Sequence, residues 1–511
     1  MGLLSTYRQL MMNPEVKNYT YMSLCMALNH ACVGACLAYA VAELGRKKGN
    51  TSSSCLYIAY TLSALLGATG FVRRHGTKKS LVYSTVGYAV YVSGFVCTSW
   101  FPNDTLDWFV VVGFGVIGGT AAGILFTAQG SYFTVSARLH AANSNTSLED
   151  ATSMLSGIFA FVYLSAEIMF KLLATALMKW GGSAVTCRDY KDVSVCVDEH
   201  QADCLWEDTV CTNDLRQDAG WKIVSLAYLA IAGSASYAMT KIDDVDVALR
   251  ELERSERDKE AQEQGHDDER ERDDFELDER SGGGGSRRRG GGRGEAGAEA
   301  THVEHGPPMG EVAKICVTNP IMPLVAGVNL AFGFASAYLT SYLNGTVVPR
   351  FHGKGMVGSF AAITPMISAC AALPMAWCAK RLGKMPVMLL ASFVFVFELA
   401  IPLSLTEAEM GLAFWLVIIY MCEGLARCIF EGVNKGVFAD FFPMQKEQAF
   451  AANVVQSGGT AAFSFFALGI MNVDPTVVAW CGLICGIYSG PAFVMASRLH
   501  DAETGHTQLS D

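Results

Sequence analysis

Helix-length apolar runs recur along this chain, and they constrain its fold more than any other feature. A bilayer core of about 30 Å needs about 20 apolar residues per helix. Stretches of that size fall at 19–44, 54–72, 79–101, 106–134, 154–178 and 221–240, and again at 315–343, 356–378, 385–405, 412–438, 449–470 and 477–497. They lack the alternation of a strand. Lipid offers no partner to exposed backbone groups, so the pattern predicts an all-α membrane protein of about twelve transmembrane helices. Composition agrees, with 51% hydrophobic and only 17% charged residues. Much of that charge sits between Lys241 and Lys314, so the net charge of −11 describes loops and linker and does not suggest an acidic partner-binding surface. Seven of eight tryptophans (Trp100, Trp108, Trp180, Trp221, Trp377, Trp415, Trp480) lie near predicted helix ends, where aromatic rings sit at headgroup level.

The runs divide into an N-terminal six-helix half (1–242), a linker (243–312), a C-terminal six-helix half (313–497) and a tail (498–511). The linker's first part, through Leu249–Arg254, reads as a charged helix continuing the sixth run, and the Gly/Arg tract at 281–294 as a disordered cytoplasmic tether. No nucleic-acid partner is expected of it. An even number of spans puts both termini on one side. Arg73, Arg74, Lys78, Lys79, Lys380, Arg381 and Lys384 share that side, against Arg46, Lys47, Lys48, Arg350 and Lys354 opposite. The bias predicts cytoplasmic termini. The first 17 residues lack a short apolar core with a cleavage site, so the first span is expected to serve as the targeting signal.

Cys187, Cys196, Cys204 and Cys211 cluster in the long loop between the fifth and sixth runs. That loop is expected to face an oxidising space, and two disulfides are the natural reading, with three pairings open. A zinc site is the rival, though the paired C-x-x-C spacing is missing. Asn50, Asn103 and Asn344 head sequons on the same outward side and are candidates for glycosylation.

The halves echo each other. Arg73-Arg74-His75-Gly76-Thr77-Lys78-Lys79 follows the second run, and Lys380-Arg381-Leu382-Gly383-Lys384 follows the eighth. A basic-x-Gly-basic loop at the same place in each six-helix half resembles the major facilitator superfamily, although its usual acidic residue is replaced by Arg73 and Lys380. The fourth run ends Gln129-Gly130-Ser131-Tyr132-Phe133-Thr134, which is similar to the Gln-Gly-x-Tyr-x-Thr signature of that superfamily's Unc-93-like family. Gly157-Ile158-Phe159, Gly424-Leu425, Phe441-Phe442-Pro443 and Ala449-Phe450-Ala451 resemble further segments of it. The tenth run departs from the family, with Arg427 and Glu431-Gly432-Val433 where an Asp and an Asn-Thr-Gln are usual. The resemblance implies the facilitator fold and two functions: transport, or accessory, trafficking and channel-regulatory roles toward other membrane proteins.

Ionisable side chains inside a bilayer are costly and face a cavity or one another. Glu423, Arg427, Glu431 and Lys435 recur every four residues in the tenth run, a stripe of alternating sign. It reads as a cavity-lining charge relay, or as a self-neutralising ladder whose Lys435 snorkels to the surface. Glu167 and Lys171 form a second pair in the fifth run. Gln129 and Tyr132 are candidates to bond a solute or that stripe. By analogy with superfamily cavities, lined by helices one, four, seven and ten, Asn29, His30 and Asn329 join the set. Gly115, Gly119 and Gly123 predict close helix packing. No H-E-x-x-H, G-x-S-x-G or P-loop occurs, so neither an enzyme, a cofactor nor a metal is expected. The expected partners are the bilayer, a small solute or ion, and in the accessory reading another membrane protein.

Overall fold

A computed structural model describes residues 13–101, 103–144, 146–181, 219–255, 257, 309–442 and 445–508. The cysteine loop, the Gly/Arg tract and most of the linker lie outside the described residues. The N-terminal half comprises α1 (Pro14–Leu44), α2 (Arg46–Leu66 and Ala68–His75, bent by 62° at Gly67), α3 (Thr77–Trp100), α4 (Asp104–Ser144), α5 (Leu148–Trp180) and α6 (Ala219–Met239). The C-terminal half comprises α7 (Ile321–His352), α8 (Lys354–Leu382), α9 (Lys384–Ser404), α10 (Ala413–Phe441), α11 (Lys446–Gly469) and α12 (Pro475–Gln508). Ten of these are long and apolar enough to cross a membrane, and the bent α2 makes an eleventh. The twelfth, α11, is 24 residues long, but Gln456, Ser457, Gly458, Gly459 and Thr460 dilute its hydropathy. Among the described residues the chain is an all-helical, multi-pass membrane protein of about twelve helices, ten or eleven of which qualify as spans by length and hydropathy.

Local sequence explains the ends. Asn13 caps α1 by accepting from the amides of Glu15 and Val16 at 3.0 and 3.2 Å, with Pro14 in the first turn. Four glycines with positive φ, Gly45 and Gly76 in one half and Gly353 and Gly383 in the other, join the first three helices of each half. Their φ near 80° with ψ near 160° is a region essentially closed to side chains. The Gly76/Gly383 echo was legible in sequence, and Gly45/Gly353 is its hidden counterpart. Lys384 behind Gly383 donates to the Gly436 carbonyl at 3.0 Å and pairs with Asp440 at 2.5 Å, near the end of α10.

Several expectations change. The seventh span begins at Ile321 rather than 315: Asn319-Pro320 separates it from a short helix, Met309–Thr318, because the residue before proline avoids helical geometry. The fourth extends to Ser144, ten residues past the apolar run, since nothing in that stretch breaks a helix as it leaves the membrane. Residues 245–255 are helical but do not continue α6, whose end frays at Thr240–Asp244. Asp246 of this segment turns back and accepts from the Thr77 amide and hydroxyl at 2.8 and 3.0 Å, capping α3. Trp221 is buried, 3% exposed, stacked on Tyr39 inside the bundle instead of lying in an aromatic belt.

Small residues set the distances between helices. A Cβ on Gly119 would lie 2.1 Å from the Leu56 carbonyl oxygen, and one on Gly123 2.1 Å from Ser63 Oγ. The Gly115–Gly123 stripe thus holds α4 against α2. The halves meet along α2 and α11, where Ser54 donates to the Ala462 carbonyl at 3.1 Å. They also meet where the ends of α1 and α5 approach the end of α7 and the start of α8, on the side opposite the termini.

Candidate functional site

The site lies between the halves, halfway along α5 and α10. Arg427 reaches from α10 and grips Glu167 of α5 with both terminal nitrogens, Nη1 to Oε1 at 2.9 Å and Nη2 to Oε2 at 3.0 Å. Its Nε donates to Glu431 at 2.9 Å. Lys171, one turn beyond Glu167, donates to the same carboxylate at 2.8 Å. Glu167 and Lys171 are both 8% exposed, whereas the Glu431 side chain is 40% exposed. Two acids and two bases leave the cluster formally neutral, which lets four charges persist inside an apolar bundle. The planar guanidinium fork makes arginine suited to this bidentate contact.

Beside the ion pairs stands His30 of α1, among rings from three other helices. Its imidazole stacks on Tyr163 at 5.0 Å between centroids and meets Phe126 at 5.5 Å and Tyr88 at 5.7 Å. Its Nδ1 is buried without a partner. The four rings make a largely aromatic wall bearing the imidazole and two phenol hydroxyls, next to a bidentate cation, the combination found in small-molecule sites.

On the side away from the termini the bundle is sealed. The Gly358 amide donates to the Tyr39 hydroxyl at 2.9 Å, and the Ser359 hydroxyl donates to Thr175 at 3.1 Å. Lys354 pairs with Glu43 at 3.6 Å farther out. A Cβ on Gly358 would sit 2.1 Å from the Lys171 carbonyl oxygen, so only glycine permits this approach of α8 to α5.

The charged stripe of α10 does not act as one ladder. Arg427 and Glu431 pair, but Glu423 turns to the other side and accepts from the Ser336 hydroxyl of α7. Lys435 is exposed and joins none of these ion pairs. The cause is a π-helical turn at Phe430–Asn434, which breaks the 3.6-residue period between Arg427 and Lys435. A second π segment, Leu339–Val347, interrupts α7. Such segments are frequent at functional sites and cannot be read from periodicity.

Other candidates move away from the site. Tyr132 is fully buried, accepting from Asn18 at 2.6 Å and donating to the Asp243 carbonyl at 3.0 Å, so it ties α1, α4 and the end of α6 together. Gln129 lies beside Tyr19 of α1, not beside α10. Asn29 donates to the Thr85 and Ala232 carbonyls and to Ser236 at 3.2, 3.0 and 3.1 Å, a junction of α1, α3 and α6. Asn329 forms an amide cluster with Gln456, Asn434 and Asn453 at 2.6, 2.7 and 3.3 Å, within the C-terminal half. Their amide nitrogens are spent on contacts inside one half, although Asn29 Oδ1 and Asn434 Oδ1 are buried without a partner. Two sequons are corrected likewise. Asn50 is 0% exposed against Gly469, and Asn344 is 1% exposed and bonded to Tyr420, so neither amide is open to a glycosyltransferase. Asn103 is exposed at the α3–α4 turn. Sequence reasoning passed over Tyr163, Phe126 and Tyr88, ordinary aromatics in apolar runs, and Glu398, a lone acid without a partner at helical spacing.

Comparison with known proteins bears on the fold and on part of the sequence. Residues 41–179, covering α2 to α5, match the family described as "Ion channel regulatory protein UNC-93". A 155-residue segment is 28% identical to the UNC93-like protein 3 of Arabidopsis thaliana, covering 29% of this chain and 32% of that protein. A 206-residue segment is 23% identical to the human protein unc-93 homolog A, covering 40% and 42%. The matched segments thus span less than half the length of these relatives. In three dimensions the chain superposes on the nucleoside transporter NupG with a TM-score of 0.53, at 11% identity over 96% of this chain and 98% of that one. On the inward open conformation of the xylose transporter XylE from E. coli the TM-score is 0.55, at 12% identity over 92% and 94%. The protein is thus a multi-pass membrane protein similar to the UNC-93 family over α2 to α5, with the fold seen in these solved transporters.

Proposed function

We propose that the chain is a facilitator-type secondary transporter of a small solute or ion, with its termini in the cytoplasm. The observation that carries the reading is the Glu167–Arg427 pair. It is a charged contact between the two halves, midway along their helices, backed by the His30–Tyr163 wall. In a rocking cycle this pair holds the halves together on the sealed side and must part when that side opens. A solute reaching Arg427 competes with Glu167 for the same fork, which favours a carboxylate or another planar anionic group. His30 and the three rings would bind the solute's apolar part. Gly358, Tyr39, Ser359 and Thr175 would form the gate beyond it. The reaction is movement, and no catalytic step is proposed.

Uptake by purified protein in proteoliposomes tests this. A panel of radiolabelled organic anions, amino acids, nucleosides and inorganic ions should contain at least one solute whose uptake is lost in Arg427→Ala. If nothing in the panel moves, and Arg427→Ala leaves the cellular phenotype intact, the transporter reading fails.

The family description favours a second reading, an accessory protein that regulates or escorts another membrane protein. The bundle would then use its two-state interface as a partner-sensitive switch. Stable co-purification with one membrane protein, retained in Arg427→Ala, would support it.

A further inference from the structure

Glu398 of α9 and Glu423 of α10 are 2% and 3% exposed, and their carboxyl groups are neighbours where the two helices pack together. Glu423 Oε1 accepts from the Ser336 hydroxyl. The other oxygen, Oε2, of each acid is buried with no protein donor. Two ionised carboxylates cannot rest against each other in an apolar interior, where each already lacks water. Nor does a nearby cation neutralise both. Arg427 lies one turn along α10, about 6 Å of rise away, and is committed to Glu167 and Glu431. The remaining titratable groups around the pair are Cys422 from α10 and Tyr57 from α2. Between 321 and 349, 355 and 379, and 475 and 497, the spans of α7, α8 and α12 contain no Asp, Glu, Lys, Arg or His.

We propose that Glu398 and Glu423 form a buried proton-binding site, one proton shared between their facing oxygens and a second taken up reversibly. With one proton the pair carries a single negative charge, and with two it is neutral. No other bond changes. Loading removes the charge nearest Arg427 on the Glu423 side, leaving the guanidinium to Glu167 and Glu431, and so biases the contact between the halves. This deepens the transporter reading by naming a proton as the coupling ion. Occupancy of the site needs no solute, so the two ideas fail separately.

The test is infrared spectroscopy of the purified full-length protein in detergent at neutral pH, in potassium buffer. Ordinary carboxyls titrate near pH 4 and are ionised there. A deuterium-sensitive carboxylic acid C=O band should be present, and should be lost in Glu398→Gln, in Glu423→Gln and in the double variant. Absence of the band in the unmodified protein overturns the proposal whether or not the variants fold, and so does its full retention in the double variant. Loss of the band on adding sodium would mean that a metal cation occupies the site, which also overturns it. In a second arm, a Ser359→Cys thiol at the sealed side reports the link to conformation. Its labelling rate, divided by that of a free thiol at the same pH to remove the thiolate fraction, should change about tenfold between acidic and neutral buffer, and less than about twofold once Glu423→Gln is added. Equal pH response in both backgrounds would sever the site from the moving interface. A band that behaves as expected, with no solute transported, would retire the transporter reading and leave the proton site standing.

Discussion

Glu167→Gln is the most informative single change. Glu167 has two charged partners of different kinds: Lys171 on its own helix, a contact kept in any rigid-body rotation, and Arg427 across the interface, a contact present only when the halves are closed at that side. Breaking a buried pair by removing one partner costs about 3–5 kcal/mol. Arg427 keeps Glu431 at 2.9 Å, so the state-specific part should fall near the lower end, about 3 kcal/mol. At 1.4 kcal/mol per decade, that shifts the ratio of closed to open by about 100-fold. The readout is the reaction rate of a Ser359→Cys thiol with a maleimide, in a background whose other reactive cysteines have been replaced. Ser359 packs against Thr175 behind the sealed end, so its labelling follows the open fraction. The rate should rise about 100-fold in Glu167→Gln. Adding Lys171→Met removes the stranded ammonium and should restore thermal stability, while labelling stays fast. A simple exchange, Glu167→Arg with Arg427→Glu, should not rescue closure, because it sets Arg beside Lys171 and Glu beside Glu431. A labelling rate within about twofold of the parent, in folded Glu167→Gln protein, would refute the view that this pair holds the halves together.

Other changes follow from the same geometry. Gly358→Leu should hold the sealed side open and raise Ser359→Cys labelling at least as much as Glu167→Gln, because its Cβ alone overlaps the Lys171 carbonyl. Gly119→Val should lower the melting temperature of the purified protein without altering that labelling, since its clash with Leu56 lies between α2 and α4 of one half. Asn329→Ala strands the amides of Gln456 and Asn434 and should cost about 1–3 kcal/mol in thermal unfolding. If the variant is as stable as the parent, the amide cluster is not structural. Enzymatic deglycosylation of the protein from eukaryotic cells should produce a mobility shift that Asn103→Gln abolishes and that Asn50→Gln and Asn344→Gln leave intact. A shift dependent on either buried asparagine would contradict its placement.

The sequence by itself determined the architecture. Apolar run lengths set the number of spans, because lipid forces each segment to satisfy its own backbone. Gly76 and Gly383 exposed the repeat of the halves, and Gln129-Gly130 through Thr134 carried the resemblance to Unc-93-like proteins. It also marked Glu167, Lys171, Arg427 and Glu431, since charges within apolar runs are conspicuous. Partnership was beyond it. Glu167 and Arg427 stand 260 residues apart, and two i,i+4 pairs read in isolation look complete on their own helices. Only the packing of α5 against α8, with Arg427 reaching across from α10, merges them into one cluster. Tertiary structure likewise sent Asn29, Asn329 and Tyr132 into structural junctions, because an amide or phenol within a span bonds whatever the fold brings near. The π turn at Phe430–Asn434 rotated Lys435 away from the stripe. Glu398, alone in its own run, acquired its neighbour Glu423 only when α9 met α10. Linear spacing reports neighbours along one helix, and a site between two halves is made of neighbours across helices.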